Sequence, residues 1–389
     1  MAAALAYARD RDLEVAVRSG GHNALGFGNI DGGAVIDLGG LDDVDLLDGG
    51  RVRVGAGAQW GRVASALAGE GLALTSGDTV SVGVGGLTQA GGIGWMVRKH
   101  GLTIDSVTGA EVVTARGEVV RADAGTNPDL FWGLRGGAGN FGVVTSFEYQ
   151  AQPVTSLHFG TISFALDDVA QLLKGWAAVM GAAPDELTTA LALMPGFGDF
   201  PPGAVLQVAY CGDDPVEIDN LRSLGSVQAD TVSERPYASV LEEAHPPEGI
   251  APVIGNTLLE ELSGAAIDDI VTAYAEGTAG RVVFLRSLGG AMGRVAPDAT
   301  AFAHRAAQAL VVSAKFLPAG APDDLVAAAQ AEWRTIGRHG IGSYAGFLGS
   351  ATADDLAALY PPETMARLTE VKRTWDPDNV FRRNFNIRP

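Results

Sequence analysis

The sequence predicts an α+β chain in two parts: a glycine-rich part of short strands and tight turns, then a part in which longer strands alternate with helices. Three observations carry this. The 53 glycines of the 389 residues are concentrated between Gly20 and Gly142. From about Thr155 the glycine density falls and apolar runs lengthen, with helical periodicity between them. The last stretch, "WDPDNVFRRNFNIRP", returns to Pro/Asp/Asn-punctuated turns. A chain of this length has room for two or three domains and a sizeable core.

The elements follow in order. Leu13 to Arg18 and Ala34 to Leu38 read as short apolar strands, and "VDLLDGGRVRVGAG" as a hairpin turning at Asp48, Gly49 and Gly50. "WGRVASALAGEG" has helical spacing at Val63, Ala64 and Leu67 and a stop at Gly71, after which "LALTSGD" reads as a strand. "GAEVVTARGEVVRAD" is a second hairpin, turning at Arg116 and Gly117; "DLFWGL" is a helical turn and "FGVVTSFEYQAQP" a strand. Beyond it, "LHFGTISFAL", "ELTTALALM", "AVLQVAYC", "GRVVFLRSLGG" and "QALVVSAKFLP" read as strands. "DDVAQLLKGWAAVM" and "PDDLVAAAQAEWRTIGRHG" read as helices.

Charge and cysteine use exclude several functions. A net charge of -19 argues against nucleic acid and anionic membranes, which repel an acidic chain. Cys211 is the only cysteine, so no intrachain disulfide forms, and no Cys/His spacing suggests a zinc site. The opening "MAAALAYARDRDLEVAV" meets Arg9, Asp10, Arg11 and Asp12 before reaching signal or membrane-span length. The expectation is a cytoplasmic protein without a metal.

Glycine marks a candidate ligand cradle. In "TVSVGVGGLTQAGGIGW", Gly83, Gly85, Gly86, Gly91, Gly92 and Gly94 fall within twelve positions. Bare backbone is what a pyrophosphate or a flat ring lying on the main chain requires. Any one glycine fits a tight turn; three glycine-rich stretches together favour a ligand. "GAGNFG", Gly137 to Gly142, matches GxGxxG in form, but a helical turn precedes it and a strand follows, the reverse of a nicotinamide-binding turn.

"VRSGGHNALGFGNIDGGAVIDL", "VGVGGLTQAGGIGWMVRKHGLTIDSV", "DLFWGLRGGAGNFGVVTSFEY" and "WDPDNVFRRNFNI", in this order, resemble the FAD-linked oxidases of the berberine-bridge-enzyme-like group, within the vanillyl-alcohol-oxidase (PCMH-type FAD-binding) superfamily. The resemblance implies a two-part FAD domain formed by residues 1–153 and 365–389 around a substrate domain of residues 154–364 with an antiparallel sheet backed by helices. It implies covalent attachment of the flavin 8α-methyl carbon to His22, a residue that alone reads as a satisfied strand-end histidine. Arg18, Ser19, Gly20, Gly21, His22 and Asn23 are expected around the pyrophosphate and ribityl chain, and Val82, Gly83, Gly85, Gly86 and Leu87 along the isoalloxazine. Gly91, Gly92 and Gly94 complete the cradle, with Gly142 and Val144 near the adenine. Many relatives carry a cysteine, and a second covalent bond, where this chain has Thr79, so a single attachment is implied. A small residue at Val82 lets oxygen reach the flavin, which favours an oxidase.

The family also has a strand and part of a helix ahead of the segment matching RSGGH, whereas about twenty residues precede His22 here. A shorter N-terminus is expected to leave an unpaired strand edge and uncovered apolar surface. "GSYAGFL" resembles the family's strand bearing a tyrosine near the flavin. Tyr344 is therefore the candidate base, its pKa needing to fall from about 10 to act at neutral pH; a tyrosine packed in the sheet fits the same residues. Relatives often carry asparagine where this chain has Gly346. Asn384 and Asn386 match asparagines of the family's C-terminal turn, or cap turns. His100, His158, His245, His304 and His339 are expected to be structural, and Glu242, Glu243 and His245 a solvated cluster.

The implied activity is that of an FAD-dependent oxidase, taking a hydride from a small organic alcohol, phenol or amine and reducing O2 to H2O2. Its partners are then that substrate and O2. The alternatives are a flavin dehydrogenase using another acceptor and an inactive flavin-fold binder.

Overall fold

The computed structural model describes residues 1–196, 202–243, 249–276 and 281–389. His245 lies outside the described residues. Three sheets order them. Val15–Arg18 and Ala34–Asp37 pair in parallel. An Ala-rich helix that the sequence patterns did not suggest, Ala2–Asp10, buries Leu5 and Ala8 in the core beside them. A five-stranded antiparallel sheet takes Val44–Leu46, Arg51–Gly55, Val143–Gln150, Val107–Val113 and Val119–Asp123 in that spatial order. Both expected hairpins lie in it. The Trp60–Ala68 helix buries Trp60, Val63, Ala64 and Leu67, the spacing visible in the sequence.

The largest sheet is antiparallel and eight-stranded. Its order is Val227–Asp230, Ser156–Ala165, Gly203–Tyr210, Leu187–Met194, Arg281–Ser287, Ala309–Pro318 and Ile250–Leu259, with Ser233–Pro236 also pairing on Ser156–Ala165. The helices Val169–Ala182, Gly264–Glu276 and Asp323–Gly337 back it, and Leu173, Trp176, Ile267, Ile270 and Ile336 join Leu191, Leu206 and Val283 in one apolar layer. A smaller cluster, including Ile93, Leu102, Leu258, Phe302 and Tyr344, joins this sheet to the glycine-rich part.

The C-terminal turns pack into the N-terminal core, where Leu368, Val371, Phe381, Phe385 and Ile387 meet Trp132, Phe141 and Phe147. Asn140, inside "GAGNFG", fastens them: its Nδ2 donates to the carbonyls of Gly137 and Phe385, and its Oδ1 accepts from the N–H of Ile387. The fully buried Lys372 donates from Nζ to the Asn140 carbonyl, Asp376 Oδ2 and the Phe381 carbonyl at 2.7–2.8 Å. That GxGxxG match thus holds a chain terminus, and the helix before it and strand after it are as expected.

Two strand expectations fail for a stated reason. "LALTSGD" contributes one isolated bridge, Ala73 to Gln152, because side chains occupy its carbonyls: Tyr237 OH donates to Leu74 O and Thr103 Oγ1 to Thr75 O. "GSYAGFL" is a bridge at Gly342 followed by a 3-10 turn, Ala345–Phe347. There the Asn256 amide replaces a neighbouring strand, accepting from the Tyr344 N–H at 2.7 Å and donating to the Tyr344 carbonyl at 3.0 Å.

Candidate active site

A cleft of about 370 Å³ runs between the two parts. One wall is backbone laid on backbone. Gly20 and Gly83 touch so closely that a Cβ on either would overlap the other's main chain. Ser19 secures the contact, its Oγ donating to the Ala56 carbonyl at 2.7 Å and accepting from the Gly85 N–H at 3.3 Å. Arg18 pairs with Asp37 at 2.7 Å and with Asn29, and the guanidinium holds the Asp37 carboxyl below its ordinary range. Asn23 turns onto its own loop, Oδ1 accepting from the Leu25 N–H.

Of the residues singled out in the sequence, Arg18, Ser19, Gly20, Gly21, His22, Asn23, Thr79, Val82, Gly83, Gly85, Gly86, Leu87, Gly142, Val144, Tyr344 and Asn384 line this cleft. Gly91, Gly92, Gly94 and Asn386 do not. Gly91 faces Phe302 and the Tyr344 ring, and side chains at Gly92 and Gly94 would run into Thr103 and the Ser76 carbonyl. These glycines let buried segments approach one another, with Gly91 and Gly92 against Tyr344. Val84–Ala90 forms a short helix where the sequence suggested only turns.

The opposite side carries Tyr344, 4% exposed. Its hydroxyl accepts from the Gly92 N–H at 3.3 Å, and burial pushes the phenol up to about 12, the reverse of the lowering a base requires. Asp78 adds to that rise and Arg286 opposes it. These two pair at 2.6 Å, with the Arg286 guanidinium 4.4 Å from the centre of the Trp95 ring. The Tyr344 ring folds back over Gly346, where a Cβ would lie 2.9 Å from Tyr344 Cζ. Motif reading missed Asp78, Gln89, Ile93, Phe347, Arg383 and Phe385, which also line the cleft. Asp78 and Arg383, charges beside stretches already singled out, were the detectable signals among them.

Three of the scattered histidines, His100, His304 and His339, are held within the fold. His304 Nε2–H donates to the carbonyls of Ala358 and Leu359, His339 pairs with Asp269, and His100 is pushed down to about 4 by burial. Glu242 and Glu243 are exposed, as the solvated reading expects, and the Glu243 carboxylate also accepts from Ser81, beside His22.

The cleft suits a bound flavin on two observations. Gly86 lies inside a helix, where glycine costs about 1 kcal/mol relative to alanine, yet a Cβ there would meet no protein atom within 4 Å. Gly86 is exposed along the cleft, so that open space is available to a ligand lying on the backbone. The second observation is that Gln89 Oε1 and Asn384 Oδ1, on cleft-lining residues, are buried acceptors without a donor. Such groups are costly unless a ligand or water satisfies them.

Comparison with known proteins agrees. Residues 1–123 match the family described as FAD binding domain, and residues 357–388 the one described as Berberine and berberine like. The chain is 31% identical over 411 residues to (R)-6-hydroxynicotine oxidase of Paenarthrobacter nicotinovorans, covering 100% of this chain and 89% of that protein. The crystal structure of 6-hydroxy-D-nicotine oxidase from Arthrobacter nicotinovorans superposes with a TM-score of 0.88 at 29% identity, again over 100% and 89% of the chains. Glucooligosaccharide oxidase from Acremonium strictum, whose FAD is 6-S-cysteinyl and 8α-N1-histidyl, shares the fold at a TM-score of 0.85 and 21% identity over 100% and 89% of the chains. The chain belongs to the FAD-linked oxidoreductases of the berberine-bridge-enzyme-like family.

Proposed function

We propose that the protein oxidises a small organic amine, alcohol or phenol on FAD attached once, through His22, and passes the electrons to dioxygen to give hydrogen peroxide. The observation that carries this is the meeting of the His22 loop and the Val82–Leu87 segment, glycine on glycine, along a cleft whose other side holds Tyr344. Bound FAD supplies the hydride acceptor. Thr79 lines the cleft where double-linked relatives have cysteine, so one attachment is the reading. Val82 keeps that wall small, which favours access by O2 over another acceptor.

Tyr344 serves as a proton-holding hydrogen-bond donor. With its oxygen accepting from Gly92, its own proton is left for a substrate, and a phenol held near 12 stays protonated at neutral pH. An amine bound in its neutral form gives up hydride without needing a base. That ordering, amine before alcohol, agrees with the nicotine oxidase relative. The side chain missing at Gly346 argues against a sugar-type polar network. We assign residues 1–153 and 365–389 to the FAD domain and 154–364 to the substrate domain, a division supported by the shared core of the first two segments. Cytoplasmic work fits the single buried cysteine; no helix among the described residues is long and apolar enough to cross a membrane.

Acid precipitation tests the attachment: the yellow colour is expected in the pellet of the wild type and in the supernatant of His22→Ala. An oxygen electrode with neutral amines and with alcohols tests the rest. Flavin reduced by substrate but not reoxidised by air would make the protein a dehydrogenase.

A further inference from the structure

We infer that Ser81 and Glu243 are positioning residues for His22, holding its imidazole in the tautomer protonated at Nε2 so that Nδ1 presents the lone pair that bonds to the flavin. This rests on the covalent attachment proposed above.

The hydrogen bonds determine the tautomer. Ser81 Oγ lies 2.6 Å from Glu243 Oε1 and 2.9 Å from His22 Nε2. A carboxylate only accepts, so the single hydroxyl proton of Ser81 points to Glu243. Toward His22, Oγ is then an acceptor, and Nε2 must carry the hydrogen. In a neutral imidazole the other nitrogen is bare.

Two backbone contacts build this relay from opposite sides. The Glu242 N–H donates to the Asp78 carbonyl at 2.9 Å and the Val80 N–H to the Glu242 carbonyl at 3.1 Å, a strand-like pairing that brings Glu243 beside Ser81. On the other side the Gly20–Gly83 contact brings the His22 loop against the same segment. The relay crosses between the two parts of the fold, since Glu243 follows the substrate-side strands and His22 belongs to the glycine-rich loop.

The chemistry uses both ends of the imidazole. As Nδ1 forms its bond to the 8α-methyl carbon, that carbon releases a proton, and the two electrons of the broken C–H bond stay on the ring system. The imidazole becomes cationic, and its Nε2–H, hydrogen-bonded through Ser81 to the Glu243 carboxylate, has that charge stabilised. Dioxygen, the acceptor already proposed, would then take the two electrons with the released proton and one more from solvent and leave as hydrogen peroxide, restoring the oxidised flavin.

The experiment adds FAD to the full-length chain prepared without it and follows the acid-precipitable colour with time. Ser81→Ala and Glu243→Gln are expected to slow attachment by about tenfold or more, as loss of an orienting partner does for other imidazoles, while FAD still binds and leaves with the acid supernatant. Ser81→Thr, which keeps the hydroxyl, is expected to restore most of the rate. Wild-type rates in Ser81→Ala and Glu243→Gln, or a Ser81→Thr as slow as Ser81→Ala, overturn the relay. Should Ser81→Ala fail to bind FAD, Glu243→Gln decides. A second readout needs no flavin: long-range ¹H–¹⁵N spectra of the flavin-free chain are expected to show His22 protonated at Nε2, and an Nδ1–H tautomer overturns the relay even where attachment proceeds. A wild type that binds FAD but never holds it through acid overturns the attachment reading itself, an outcome separate from any effect of the variants.

Discussion

The two walls of the cleft are built by opposite means. Along Arg18–Asn23 and Val82–Leu87 the wall is main chain packed on main chain, with Gly20 and Gly83 in a contact that admits no side chain. Across from it, Tyr344 is hung on a side chain, the Asn256 amide, which satisfies its N–H and its carbonyl together. A backbone wall depends mainly on the absence of Cβ atoms, with Ser19 securing the contact, so it suits the part of a site that every substrate shares. A wall hung on side chains is re-aimed by a single substitution, which suits the part that selects substrate.

Gly83→Ala should have the largest effect, because its Cβ enters Gly20 main chain, which cannot turn aside, and Ser19 Oγ, which moves only by giving up its bonds to Ala56 and Gly85. A loss of about 3 kcal/mol in thermal unfolding, with FAD binding abolished, is expected; a stable, yellow Gly83→Ala would break the contrast between the walls. Asn256→Leu leaves two buried Tyr344 backbone groups unpaired and should cost about 2 kcal/mol, with FAD binding kept and turnover reduced, read by calorimetry and oxygen uptake. Tyr344→Phe should lower kcat/KM about tenfold, the value of one hydrogen bond near 1.4 kcal/mol. Its pH signature sharpens the assignment. A phenol raised to about 12 is protonated through neutral pH, so a donor gives a profile with no Tyr344 limb there, whereas a base makes kcat/KM climb with pH toward about 12. Gly86→Ala should do least and in opposite directions: flavin-free stability up by about 1 kcal/mol through helix propensity, FAD affinity down. Equal or tighter FAD binding in Gly86→Ala would mean that the space at Gly86 is not kept for the flavin.

Legibility followed the same division. The His22 loop and the Val82–Leu87 segment were readable because their demand is compositional: glycine where two backbones meet leaves a mark at each position. Gly92 and Gly94 carry that mark too, yet do not line the cleft, since composition cannot say which close approach a glycine serves. Tyr344 was singled out by resemblance and wrongly set in a strand. Asn256, which decides its backbone, lies 88 residues away and has no local signature. The bond from Ser81 to the exposed Glu243 has no local signature either, its partners being 162 residues apart.

By itself the sequence determined the hairpins, the amphipathic Trp60–Ala68 helix and the long strands of the second part, all of which rest on short-range periodicity and turn chemistry. It also determined that one surface would be stripped of side chains around a histidine. Only the tertiary structure decided what faces that histidine: Ser81 and Glu243 on one side, a cleft on the other, with Tyr344 buried and its phenol raised. Hydrogen-bond direction and burial depend on groups far apart in the chain meeting within about 3 Å, and no local pattern encodes that meeting.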